Sequence, residues 1–263
     1  MNASKAKGRI LEYLPSALVF AAIVILWQVL TVALKVPSFL LPTPSAILSR
    51  LLDPSIPWIQ NSLVTTYEAV AGFLLAALFG ILVAMPMALS RRLAAVAYPF
   101  VIAAQVMPKL AFVPILFIWL GFNALPKVVT VFLVCFFPVV IDTVAGLSSI
   151  DPEMVDLVRL QTPSRWDLLR KAMLPNALPN IFSGLRISVT LSLIGAVVAE
   201  FVSSSMGLGF LVLSAETELN TALAFASATL LVIIGFVLYF AVDIAERYLV
   251  PWKTNAVREV MRG

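Results

Sequence analysis

Histidine is absent from the 263 residues, and cysteine occurs once, at Cys135. An intramolecular disulfide is thereby excluded, and zinc, haem and iron–sulfur sites lose their usual donors. Charge is scarce too: Asp, Glu, Lys and Arg make up 12% of the chain, against roughly 25% in an ordinary soluble domain. None of the eleven glycines belongs to a G-x-x-x-x-G-K-S/T phosphate loop, so the chain carries no ATP cradle of that kind. Gly207-Leu-Gly209 lacks both the third glycine and the preceding strand of a dinucleotide fingerprint. A serine or cysteine nucleophile would have no histidine to activate it. Cys135 sits inside the apolar run Val131-Phe-Leu-Val-Cys-Phe-Phe137, the setting of a buried small hydrophobe. Neither an enzyme nor a metal or cofactor site is expected.

What is present is apolar: 61% of the residues are hydrophobic, and the mean hydropathy is +1.02. A bilayer core of about 30 Å takes about 20 apolar residues in a helix. Tyr13 to Leu34, Ala69 to Ser90 and Leu219 to Val242 are free of charge. Leu93 to Gly121 is crossed by Lys109, Val128 to Leu147 by Asp142, and Ile181 to Ser203 by Arg186 near its start and Glu200 near its end. The expected fold is an all-α, polytopic membrane domain over residues 13–250 with six spans, at about 13–34, 62–90, 93–122, 127–147, 181–203 and 219–245. An N-terminal segment 1–12 and a C-terminal tail 251–263 flank it. With both termini inside, fourteen of the eighteen Lys and Arg fall on the cytoplasmic side, leaving Lys35, Arg50, Lys109 and Lys127. That asymmetry fixes the orientation by the positive-inside rule and accounts for the net charge of +4 without nucleic acid. The first apolar run follows a basic start but is too long for a signal-peptide core, so it reads as a retained signal anchor.

The connections carry further signals. Thr43 followed by Pro44 is a helix start, opening a short outer amphipathic helix to about Leu52. Gly72, Ala76, Gly80 and Ala84 recur every four residues in the second span, a stripe that admits a neighbouring helix. Pro99, Pro108 and Pro114 predict a bent or broken third span. Ser203-Ser-Ser-Met-Gly-Leu-Gly209 predicts an outer turn before a short apolar helix.

Ionisable groups within spans face a partner or a water-filled path. Lys109, beside Pro108, is the foremost candidate for lining a path, with Asp142, Glu200 and the amide of Gln105 as further candidates. Structural pairing is the competing reading for each, and Gln28 fits a helix-to-helix hydrogen bond. The loop 148–180 is the most distinctive polar stretch and predicts two short helices. Asp151 or Ser149 caps the first, whose apolar face is built from Met154, Val155, Leu157, Val158 and Leu160. Ser164 caps the second, and Leu174-Pro175 is expected to stop it. Such helices either lie in the headgroups or dock a cytoplasmic partner.

At this loop the chain resembles the permease subunits of bacterial binding-protein-dependent ABC importers. Their signature places Glu-Ala-Ala, three residues, Gly, nine residues, then Ile-x-Leu-Pro on a cytoplasmic loop. Here Asp156, Leu157 and Val158 stand at the first three places, Thr162 at the glycine, Ala172 at the isoleucine, and Leu174-Pro175 at the end. Leu40-Leu-Pro-Thr-Pro-Ser45, Met107-Pro-Lys-Leu-Ala-Phe-Val-Pro114, Ile118-Trp-Leu-Gly-Phe122 and Ser164-Arg-Trp166 are similar to the nitrate, sulfonate, taurine and thiamine-precursor branch. The resemblance implies a type I importer permease fold, a second permease copy, cytoplasmic ATPase subunits, and a periplasmic or lipid-anchored binding protein. It implies alternating-access transport of a small anionic or heterocyclic nutrient, with Asp156, Leu157, Val158, Arg159, Thr162, Leu174 and Pro175 coupling to the ATPase. The competing class is an ion-driven secondary transporter or channel using Lys109, Asp142 and Glu200; against it stand the lack of an inverted repeat and a loop left without a task.

Overall fold

The computed structural model describes residues 3–161 and 164–252, with the backbone alone for 3–14, Arg91, Arg159 and Gln161. Part of the C-terminal tail, 253–263, and Thr162 in the loop lie outside the described residues. The described chain is helical throughout: α1 (Ala3–Ala33), α2 (Pro44–Leu51), α3 (Trp58–Leu89), α4 (Arg91–Val106), α5 (Val113–Leu120), α6 (Ala124–Ser148), α7 (Pro152–Gln161), α8 (Arg165–Leu168), α9 (Leu174–Val202), α10 (Leu208–Thr217) and α11 (Thr221–Leu249). Helix is the only open-ended way to satisfy every backbone group within hydrocarbon, so apolar runs of this length have little alternative. Five helices are long and apolar enough to cross a membrane, and a broken pair, Arg92–Val106 with Lys109–Leu120, makes a sixth span when counted as one.

The break follows from one proline. Met107, the residue before Pro108, is held extended at φ −59° and ψ 136°, because the proline ring excludes the helical region for its predecessor. The two halves diverge by 73°. Of the other two prolines of this span, Pro99 stays inside α4 and Pro114 opens α5, where its missing N–H costs nothing.

Two compact units share the chain. The first comprises Met1–Pro57 with Leu211–Leu230. Within it, Thr43 caps α2 by accepting from the Ala46 amide at 3.2 Å, and Gln28 of α1 accepts from the Ser45 amide at 3.1 Å. The Trp27 and Phe225 rings meet at 5.9 Å, and the Thr221 hydroxyl donates to the Ser38 carbonyl.

The second unit, Trp58–Phe210 with Leu231–Gly263, holds the loop and the spans beside it. Its centre is α6, which packs along both α3 and α9. Ala69 and Ala76 of α3, Val131 and Cys135 of α6, and Leu193 and Ala196 of α9 form one buried cluster. The stripe predicted on the second span is the face that makes this contact: Gly72, Ala76, Gly80 and Ala84 are all buried. A Cβ on Gly72 would lie 2.4 Å from Val131 Cβ and 2.7 Å from the Val128 carbonyl, so α3 and α6 touch backbone to backbone there.

Leu174-Pro175 does not stop a helix, contrary to the expectation from sequence. The chain runs from α8 through one π-turn, Leu169–Met173, directly into α9. Pro175 sits in the first turn of α9, where it lacks only a donor that the widened turn leaves unused. The second span likewise begins earlier than the charge-free run, at Trp58, and encloses Glu68.

Substituting Gly72 by Leu should force α3 from α6 and lower stability by about 1–3 kcal/mol or more. Thermal unfolding in detergent checks this, with Gly121→Ala, whose Cβ would meet only a side chain at 3.5 Å, as a comparison for a strained but unpacked glycine.

Candidate functional site

The loop helices are built as expected from their caps. Asp151 Oδ1 accepts from the Glu153 amide at 2.9 Å, and Ser164 Oγ accepts from the Asp167 amide at 3.4 Å. Ser149 does not cap α7; its hydroxyl donates to the Gly146 carbonyl at 2.9 Å and accepts from Asn176 Nδ2 of α9 at 3.3 Å. One side of the loop is buried: Leu168, Leu169 and Met173 join Leu147, Ala177 and Ile181 in a core against which Val155 and Val158 pack. The other side faces away, with Leu157 58% exposed and Leu160 86% exposed. Among the residues matched to the importer signature, Asp156 and Leu157 are exposed. Val158 is anchored inward, and Leu174 and Pro175 lie half-buried at the root of α9.

Lys109 and Gln105 come together at the break in the third span. Lys109 Nζ donates to the Gln105 carbonyl at 2.7 Å, supplying a donor and a positive charge to the carbonyl end of α4. The same ammonium lies 4.8 Å from the centroid of Phe137 on α6, in cation–π range. Asp142, half-buried against Gly184 of α9, stands five residues further along α6, about 7.5 Å up its axis. Glu200 is elsewhere, fully buried near the far end of α9.

Around Glu200 the structure assembles a polar cluster whose other members sequence reasoning missed. Asn61, Thr65 and Glu68 follow one face of α3, and all three are buried. Asn61 Oδ1 accepts from the Gly207 amide at 2.6 Å, and Thr65 Oγ1 accepts from the Leu208 amide at 2.8 Å. Glu200 Oε2 accepts from the amides of Gly209 and Phe210 at 2.6 and 3.1 Å. Four consecutive amides at the start of α10 thus find acceptors on α3 and α9, and the carboxylate lies at the helix's positive end. Thr65 also donates to Glu200 Oε1 at 2.6 Å, which ties α3 to α9 directly.

Gly207 makes this approach possible: its φ is +125°, and a Cβ there would lie 2.3 Å from Glu200 Cδ. Beside the turn, Lys127 of α6 reaches Glu68 Oε1 at 2.7 Å and Ser204 Oγ at 2.9 Å. The signal available in the sequence is the i, i+4, i+7 spacing of Asn61, Thr65 and Glu68, which puts them on one helix face, though Gln60, Ser62 and Thr66 in the same turns dilute it.

A second ionic group lies nearer the basic end. Arg186 of α9 pairs with Asp243 at 2.8 Å and with Glu246, both on α11, and Arg247 meets Asp243 at 2.7 Å. Buried polar residues in this unit are thus arranged as interhelical fasteners at two levels. Among the described residues, no group of three or more Cys, Asp or Glu is placed to hold a metal ion.

The described residues form a polytopic helical bundle with one broken span and loop helices packed into its core. Residues 76–255 match the family described as binding-protein-dependent transport system inner membrane component. The chain is 35% identical over 233 residues to a probable ABC transporter permease protein of Haemophilus influenzae, covering 89% of this chain and 95% of that one. It is 33% identical to the riboflavin transport system permease protein RibX of Chloroflexus aurantiacus, over 89% and 88% of the two chains. Against the taurine transport system permease protein TauC of Escherichia coli the identity is 32%, over 86% and 84%. Among solved structures, an inward-facing conformation of the MetNI methionine ABC transporter shares the fold, with a TM-score of 0.62 at 17% identity, over 75% of this chain and 99% of that one. The chain belongs to the binding-protein-dependent transport system inner membrane component family and is an ABC importer permease of the inner membrane.

Replacing Lys127 by Met should destabilise the protein by about 3–5 kcal/mol, because Glu68 is left as a buried carboxylate without its cation. Adding Glu68→Gln should recover a large part of the loss. Unfolding midpoints of the two single variants and the double variant test the pairing, which an unperturbed Lys127→Met protein would contradict.

Proposed function

We propose that this chain is the translocating, non-catalytic subunit of an ATP-driven importer. In this reading, separate cytoplasmic ATPase subunits dock on the loop 148–180. A periplasmic or lipid-anchored binding protein delivers cargo at the opposite face, and two copies of the permease enclose the path. The observation that carries the reading is the two-sided construction of α7. Val155 and Val158 root it in the core, while Met154, Leu157 and Leu160 stand exposed. A helix outside the hydrocarbon keeps such an apolar face only where something covers it. Asp156 and Leu157 then form the docking segment with Arg159 and Thr162, Val158 anchors it to the core, and Leu174 with Pro175 joins it to α9.

ATP-driven closure of the ATPase pair would pull on this segment and shift the permeases between inward-open and outward-open states. Lys109 and Gln105, at the break in the third span, are the residues assigned to the path, with Asp142 further along it. Glu200 serves the path indirectly, by fixing the turn 203–210. The cargo class is a small anionic or heterocyclic nutrient. The cationic Lys109 suits an anion such as a sulfonate, and named relatives carry taurine, aliphatic sulfonates, riboflavin and formylaminopyrimidine.

Leu157→Asp should abolish co-purification with the ATPase subunit and uncouple ATP hydrolysis from uptake while the permease stays folded, since the side chain is exposed. Pull-down in detergent and uptake in proteoliposomes are the measurements. Undiminished uptake by the variant would refute the docking segment, and a stable chain that binds no ATPase and still moves ions would favour a secondary transporter.

A further inference from the structure

A cleft of about 1250 Å³ opens between the ends of α3, α4 and α6 on one side and the loop helices α7 and α8 on the other. Its floor is apolar and continuous with the core, with Leu147 and Leu168 both buried. Its walls carry two arginines, Arg92 and Arg165, together with the hydroxyls of Ser90 and Ser148. One acidic side chain, Asp156, shares the wall. Among the described residues, neither Arg92 nor Arg165 is in an ion pair. Ser90 accepts from the Leu93 amide at 3.3 Å, which leaves its proton available to a ligand.

We propose that this cleft binds the phosphate headgroup of an anionic phospholipid from the adjoining leaflet. The level of the site argues for a lipid. Leu89 is the last residue of α3 and Ser148 the last of α6, so the cleft lies where two spans leave the hydrocarbon. The chemistry argues for an anion with an apolar extension. Guanidinium groups pair with phosphate oxygens in a forked geometry, while the leucine floor suits the first methylenes of an acyl chain. A free phosphate shares the headgroup chemistry but fills only a small part of such a volume and makes no use of the floor. Asp156 belongs to this wall and also to the proposed docking segment, so the site is tested on the permease without its ATPase, where lipid retention is read separately from the transport reading.

The test is lipid retention by the purified full-length chain, measured by native mass spectrometry in detergent with phosphatidylglycerol and phosphatidylcholine of identical acyl chains. The wild type should retain phosphatidylglycerol in preference. Arg92→Gln and Arg165→Gln should each weaken retention about fivefold, and together roughly thirtyfold, as expected for the loss of one and two basic contacts near a membrane surface. Arg50→Gln, a basic residue outside the cleft, should leave retention unchanged, and circular dichroism confirms that all variants are folded. Equal retention of the two lipids, or retention insensitive to both cleft substitutions, would overturn the proposal. Full displacement of the lipid by millimolar inorganic phosphate would also overturn it, since the site would then be one for the free anion.

Discussion

Hydrocarbon surrounds apolar helices as comfortably as they surround each other, so the second unit depends on how closely the backbones of α3, α6 and α9 can approach. That closeness is set by the absence of side chains at a few positions. At Gly72 the neighbour is Val131 and a main-chain carbonyl of α6, and contact of this kind gains dispersion energy that lipid cannot match. The small residues of α3 therefore act as a template for α6, and α6 in turn receives α9. Cys135 and Ser188 show how tight the second seam is: each side chain donates to the other's carbonyl, at 3.1 and 2.8 Å.

Buried charge then does what apolar packing cannot, which is to single out one arrangement. A Leu can slide along a helix groove at little cost, but Glu200 finds its amide partners in only one register. The cluster at Glu200 and the pairing of Arg186 with α11 lie at different depths along α9, so a helix shifted by a turn would strand carboxylates at both levels. Such strandings cost several kcal/mol each in a low-dielectric setting, about as much as the whole stability margin of many proteins.

Much of this is legible in the amino-acid sequence, and the reasons differ by feature. Spans announce themselves through length and hydropathy, caps through Thr43, Asp151 and Ser164, and the broken span through its prolines, because each is a local effect of a residue on its own neighbourhood. The stripe from Gly72 to Ala84 was visible as period, though its partner was not. The polar cluster was hidden for the opposite reason. Glu68 and Lys127 are 59 residues apart, and Thr65 and Glu200 are 135 apart. Each of them alone reads as an ordinary charge or hydroxyl near a helix end. The passage through Leu174-Pro175 is not legible locally, because proline usually ends the preceding helix and here a single π-turn, Leu169–Met173, carries the chain into α9.

The continuity of α9 has a mechanical consequence. The helix is 29 residues long, about 43 Å at 1.5 Å per residue. At one extremity it is fused to the core of the loop helices, and at the other it holds the start of α10 by the carboxylate of Glu200. A tilt of about 10° about its midpoint carries the two extremities about 4 Å in opposite directions. Were α9 to tilt as one piece, its interior Pro179 included, displacement at the loop end would be reported at the Glu200 end with its sign reversed.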